Sequence, residues 1–269
     1  MRPTGALDLR RRRREPPPAD AGTLFDRRAQ VYDGRYDEVS ADGYALRSRL
    51  RAVLDSAGDG PGDALDAGMG GGRLAAELAG RGWTVSGVDA ADRMVELARR
   101  RLPSARGRMH RALIESLPFP DESFDLVTAT GVLEYSTVDA SLRELRRVLR
   151  GGGRLVVSYP NPEAIYAFWK TRVWYPGART AKRMLGWKPH SFKTGGGRFV
   201  PREFEELLTQ VGLAPAGFVY NAYMPLPTPL ELLLPRAGAA LGERLETRRP
   251  QWGRRLAGQV VYVARKEER

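Results

Sequence analysis

The chain of 269 residues contains no cysteine, which excludes disulfides, thiolate nucleophiles and Cys-held zinc or iron–sulfur centres. Imidazole is nearly as scarce: His110 and His190 are the two histidines, so no metal site is expected. No run approaches the ~20 apolar residues that a membrane-spanning helix requires. The first residues pass through arginines into prolines, where a secretory signal would place an apolar stretch. A cytoplasmic protein with no membrane span is therefore expected.

With 42% hydrophobic and 28% charged residues the composition is that of an ordinary globular domain. The formal charge of +12, carried mostly by arginine, would draw nucleic acid, an anionic membrane or acidic small substrates through the same long-range field and does not choose among them. Residues 1–20 hold Arg10 to Arg14 and Pro16 to Pro18 with few apolar side chains, the pattern of a disordered basic tail. Residues 21–269 read as a single domain.

From Ala21 onward Phe25, Ala29 and Tyr32 recur at helical spacing, and Tyr44, Leu46, Leu50, Val53 and Leu54 repeat the pattern. Strands and helices then alternate. Ala64–Ala67, Trp83–Val88, Met109–Leu113, Phe124–Ala129 and Arg154–Tyr159 read as strands, and Arg73–Ala79, Asp92–Arg101 and Val138–Leu149 as helices. Such alternation implies a doubly wound, mostly parallel α/β sheet. Pro201–Val211 reads as a further helix and Gly258–Ala264 as a closing strand, while residues 162–200, aromatic and basic, form an insertion after the fifth strand.

The chemistry concentrates at two strand ends. Asp66-Ala67-Gly68-Met69-Gly70-Gly71-Gly72-Arg73 is a glycine-rich turn between a strand and a helix, where backbone without Cβ can approach a ligand beside helix N–H donors. Its G-x-G-x-G spacing departs from the dinucleotide fingerprint G-x-G-x-x-G and argues against NAD or FAD. Asp89 ends the next strand, with Ala90 after it, and a carboxylate there can accept both hydroxyls of a ribose lying across the switch point of the sheet. A bare structural turn and a helix cap are the bland alternatives, and Asp92 is the better-placed cap for the helix that follows.

Together with Leu117-Pro118-Phe119-Pro120-Asp121-Glu122-Ser123-Phe124-Asp125, Val132-Leu133-Glu134 and Gly151-Gly152-Gly153, these segments resemble the class I S-adenosylmethionine-dependent methyltransferases, in particular their small-molecule "type 11" group. The resemblance implies a Rossmann-like seven-stranded sheet with an N-terminal helical lid and a cap. It also implies S-adenosylmethionine as cofactor. Gly68, Gly70 and Gly72 would line its methionine portion, Asp66 would help hold the amino group, and Asp89 with Ala90 would take the ribose. Leu113 and Ile114 would border adenine, Thr130 and Gly131 would flank the sulfonium side, and Tyr32 of the lid would reach the methionine carboxylate. Relatives often carry an acidic residue where Leu113 stands and histidine where Tyr135 stands, so the adenine contact and the acceptor chemistry differ here.

Methyl transfer needs alignment and exclusion of water more than a catalytic triad. If the acceptor is a hydroxyl or an acidic carbon, His190, Tyr135 and Glu134 are the candidate bases, His190 first because imidazole takes up a proton near neutral pH. The expected function is methylation of a biosynthetic small molecule at O, N or C, the acceptor being anionic, aromatic or lipid-like, with a homo-oligomer left open. An RNA-modifying enzyme and a cofactor-binding enzyme of this fold that catalyses another step, such as cyclisation, are the alternatives. No appended RNA-binding module is seen, and nucleic acid is the less favoured partner.

Overall fold

A computed structural model describes residues 21–177, 199–248 and 251–268. The basic tail, residues 1–20, and most of the insertion, including His190, lie outside the described residues. The chain opens with helices α1 (Ala21–Gly34) and α2 (Ala41–Ala57), followed by β1 (Gly62–Ala67), α3 (Arg73–Gly80), β2 (Trp83–Asp89), α4 (Asp92–Arg101), β3 (Met109–Arg111) and β4 (Phe124–Thr130). Then come α5 (Val138–Val148), β5 (Leu149–Pro160), α6 (Ile165–Trp169, prolonged by one wider turn to Trp174), α7 (Pro201–Gln210), β6 (Leu213–Tyr223), α8 (Leu230–Leu233), α9 (Pro235–Arg248) and β7 (Ala257–Lys266).

The seven strands form one sheet in the order β3-β2-β1-β4-β5-β7-β6. The five strands from β3 to β5 in that order are parallel, while β7 runs antiparallel to both its neighbours. The alternation of apolar side chains along β1 sends Leu65 to one face and Ala64 to the other. Leu65 joins Val127, Leu142, Leu145, Phe204 and Leu207 in a core under α5 and α7. Ala64 joins Val53, Leu74, Leu78, Val95 and Val156 under α2, α3 and α4. Helices on both faces are what a parallel sheet buried on both sides requires.

Two elements were not legible in the residue pattern. β6 is an edge strand interrupted by a bulge between Pro215 and Gly217, so its signal is diluted by the proline and glycine that an edge tolerates. α9 carries Gly238, Ala239, Ala240 and Gly242 where an apolar stripe would be sought, because Gly242 packs directly against Tyr44 and the Tyr223 carbonyl and has no room for a side chain.

Several motif residues turn out to hold the frame together. Arg147 donates to the carbonyls of Leu117 and Phe119 and to Asp121 and Glu144, strapping the Leu117–Asp121 run onto α5. Arg150 bridges Asp63 and Asp125 at 2.9 and 2.6 Å, and Asp125 also accepts from the Asp63 N–H. The opening ends of β1, β4 and β5 are thereby tied, and the register of the strands that carry the site follows from it.

Candidate active site

The order β3-β2-β1-β4 makes the chain reverse its direction of winding between β1 and β4, so a crevice opens at the carboxyl ends of these strands. A cavity of about 400 Å³ lies there, within the ~300–1,000 Å³ typical of small-ligand sites. Of the residues anticipated from the sequence, Tyr32, Gly68, Gly70, Asp89, Ala90, Leu113, Ile114, Thr130, Gly131 and Tyr135 line it. Asp66, Gly72 and Glu134 are not on its wall, and His190 lies outside the described residues.

Gly70 has φ +53°, and a Cβ there would meet nothing within 4 Å; its backbone faces open space, as close approach to a ligand demands. Gly72, by contrast, is turned away from the cavity. It caps α3 in the left-handed region, and a Cβ on it would stand 2.8 Å from that of Ala98, so it serves the contact between α3 and α4. Asp89 is half-buried, with one oxygen accepting from the Gly70 N–H and the other from the Ala91 N–H, each at 2.9 Å. Desolvation pushes its pKa up even against these two donors. Each oxygen keeps a lone pair, which suits a diol.

The cap of α4 differs from expectation. Asp92 sits inside the first turn and pairs with Arg111 at 3.0 Å, while the Arg93 N–H is taken by Asp26 of α1 at 2.9 Å. The lid thus caps a helix of the sheet domain. Its other end is anchored too: Asp33 receives Arg101 at 3.0 and 2.7 Å and Arg73 at 3.3 Å, and the same Arg101 donates to the Gly71 carbonyl. These arginines hold the Asp33 carboxyl below its usual range although burial opposes them. Phe25 packs edge-on against Tyr32 at 5.6 Å and against Tyr135 at 5.3 Å, joining the lid to the loop after β4.

Behind this wall stands a residue that the sequence reading did not single out. Arg49 of α2 is 7% exposed and donates to the Tyr32 hydroxyl at 3.3 Å. A Cβ on Gly131 would meet its guanidinium at 2.5 Å. Burial opposes its charge, but Tyr32, Tyr36 and Glu134 more than offset that, and its pKa is raised. The signal was present: Arg49 lies between Leu46 and Val53 on the inward stripe of α2, where an apolar side chain would otherwise stand. Tyr135 faces the cavity, and burial, reinforced by the Glu134 charge, pushes its phenol up to about 12. It is therefore a hydrogen-bond donor at neutral pH.

Asp66 is 1% exposed beneath the glycine turn. Its Oδ1 accepts from Thr128 at 2.9 Å, and its Oδ2 has no hydrogen-bond partner among the described residues. Burial, with the Asp89 charge adding to it, pushes the carboxyl up to about 7. Between the unfolded value near ~3.9 and that level the folded state binds more protons, so this group makes the protein less stable as pH rises through that window. Asp66→Asn is expected to leave the melting temperature nearly unchanged at about pH 4 and to raise it by several degrees at about pH 8. Thermal melts followed by circular dichroism check this; equal shifts at both pH values would remove Asp66 from that role.

The family described as "Methyltransferase domain" matches residues 65–157. The demethylmenaquinone methyltransferase of Tropheryma whipplei (strain Twist) is 32% identical over 169 residues, 61% of this chain and 70% of that protein. The ubiquinone/menaquinone biosynthesis C-methyltransferase UbiE of Syntrophotalea carbinolica is 37% identical over 146 residues, 52% of this chain and 61% of that one. Among solved structures, the [4+2]-cyclase SpnF superposes with a TM-score of 0.58 at 19% identity, covering 95% of this chain and all of the other, a likeness of fold alone.

Proposed function

Since this chain belongs to the class I S-adenosylmethionine-dependent methyltransferases, we propose that the acceptor it methylates is an apolar hydroxylated aromatic small molecule of the quinol kind. When bound, S-adenosylmethionine supplies an electrophilic methyl group on sulfur. The residues of the cavity fit that group: a half-buried carboxylate with two free lone pairs at Asp89, open space at Gly70, and an unpartnered acceptor at Asp66 beneath the turn. On this reading Asp89 with Ala90 takes the ribose, Gly68 and Gly70 lie along the methionine, and Leu113 and Ile114 border adenine. Thr130 and Gly131 flank the sulfonium side, Asp66 acts on the amino group through its field, and Arg49 with Tyr32 receives the carboxylate.

The observation that carries the acceptor proposal is the apolar part of the cavity wall, from the lid and the loop after β4. Phe25, Tyr32, Val132 and Tyr135 present rings and a branched side chain to the cavity, a surface that orients a flat apolar ring and excludes water. Both relatives carry quinones in their names, one as demethylmenaquinone methyltransferase and the other as a methyltransferase of ubiquinone/menaquinone biosynthesis. With its phenol held protonated, Tyr135 positions the acceptor by packing and one donated hydrogen bond. Glu134 is off the wall. His190 remains the proposed base for a hydroxyl or an acidic carbon.

The test is to incubate the enzyme with deuteromethyl-labelled cofactor and a panel of short-chain quinols, catechols, amines and unmodified RNA, and to read the labelled product by mass spectrometry. A labelled quinol or catechol is expected. Label only in amines or RNA would overturn the acceptor class, and Tyr135→Phe is expected to keep the rate within about threefold, as loss of a single hydrogen bond not made in the transition state implies.

A further inference from the structure

Outside the matched domain, two segments come together on one side of the molecule. Tyr166 of α6 donates to Glu231 of α8 at 2.5 Å, Thr228 donates to the same carboxylate at 2.6 Å, and Trp169 donates to the Thr228 carbonyl at 2.8 Å. Lys170 closes the cluster on Tyr166 at 3.0 Å. Beside these bonded side chains both segments expose large apolar ones. On α6 these are Ile165 and Phe168, followed by Arg172 and Tyr175, at the spacing of one helical face. On α8 they are Leu232, 67% exposed, Leu233, 72% exposed, and Leu234.

Such a cluster of large exposed apolar side chains marks an interaction surface. Arginines border it: Arg172 on α6, and Arg236, Arg244 and Arg248 along the exposed side of α9, which also shows Leu241. The exposed carboxylates on these elements are Glu163 and Glu243, the latter paired with Arg51 at 3.6 Å. We infer that this face docks on an anionic lipid bilayer, with Phe168 and Leu232–Leu234 entering the acyl boundary and Arg172 and Arg236 resting on the phosphates. The juxtaposition of bare leucines with arginines that have no ion pair among the described residues is the pattern of interfacial binding, where apolar insertion and headgroup attraction add. The formal charge of +12 has the matching sign. A second copy of the chain fits less well, since a two-fold interface sets this face against itself and so brings a patch bordered by arginines against another of the same sign.

The test uses the full chain, sedimented with vesicles of phosphatidylcholine alone or mixed with phosphatidylglycerol. Binding to the mixed vesicles is expected to persist at raised salt and to fall about tenfold or more in the Leu232→Ser, Leu233→Ser double variant, with the circular dichroism melt unchanged because both side chains are exposed. Phe168→Ser supplies an independent variant and should show the same direction. No binding to mixed vesicles overturns the inference. So does binding that the double variant retains in full, since charge from the arginine-rich tail would then suffice. A dimer seen by analytical ultracentrifugation that the double variant abolishes would assign the face to a second copy instead.

Discussion

Replacing Arg49 by glutamine is expected to weaken S-adenosylmethionine by roughly 30- to 1,000-fold, about 2 to 4 kcal/mol, the usual cost of removing one member of a desolvated charge pair. The guanidinium is buried, always charged and supplied with five donors; it donates to Tyr32 at 3.3 Å and is also bonded to Tyr36. Water cannot easily substitute behind the wall formed by Tyr32 and Gly131. Calorimetry with the cofactor and with its decarboxylated analogue separates binding from architecture. If Arg49 receives the carboxylate, the variant loses affinity for the first and little for the second. Equal losses for both ligands would mean that Arg49 acts by holding Tyr32, Tyr36 and Glu134 in place.

Asp89→Ala is expected to weaken both S-adenosylmethionine and its demethylated product by about 10- to 150-fold, roughly 1.5 to 3 kcal/mol for hydrogen bonds to a charged group. Two losses combine in this variant. The diol acceptor disappears, and the Gly70 and Ala91 N–H groups, each held at 2.9 Å, are released, so the glycine turn is no longer tied to the start of α4. Asp89→Asn distinguishes them: the amide oxygen can keep one backbone donor, but the side chain then accepts at a single atom. An affinity restored close to the unmodified enzyme by asparagine would show that tying the turn, rather than accepting the ribose, is what Asp89 contributes. Calorimetry on folded protein decides between these outcomes.

The sequence by itself determined the alternation of strands and helices, the glycine turn after β1 and the carboxylate ending β2. These are local signals: apolar periodicity, glycine where backbone must turn, and an acidic residue at a strand terminus are written within a few consecutive positions. It also carried the cofactor class, through the resemblance that the glycine turn, Asp89 and the later motifs bear to a known family. Tertiary structure decided what depends on residues far apart in the chain. Asp66 and Gly72 belong to the same short motif as Gly68 and Gly70, yet one is sealed beneath the turn against Thr128 and the other is turned toward Ala98, which no one-dimensional spacing reveals. Asp26 displaces Asp92 as the cap of α4 because a helix 67 residues earlier packs across its first turn. Arg49 became part of the site only when α2 was laid behind Gly131, 82 positions away by number, and its side chain found Tyr32. The leucines of α8 follow the same rule: Leu232 and Leu233 stay exposed while Glu231 beside them is buried against Tyr166 of a segment 65 positions earlier.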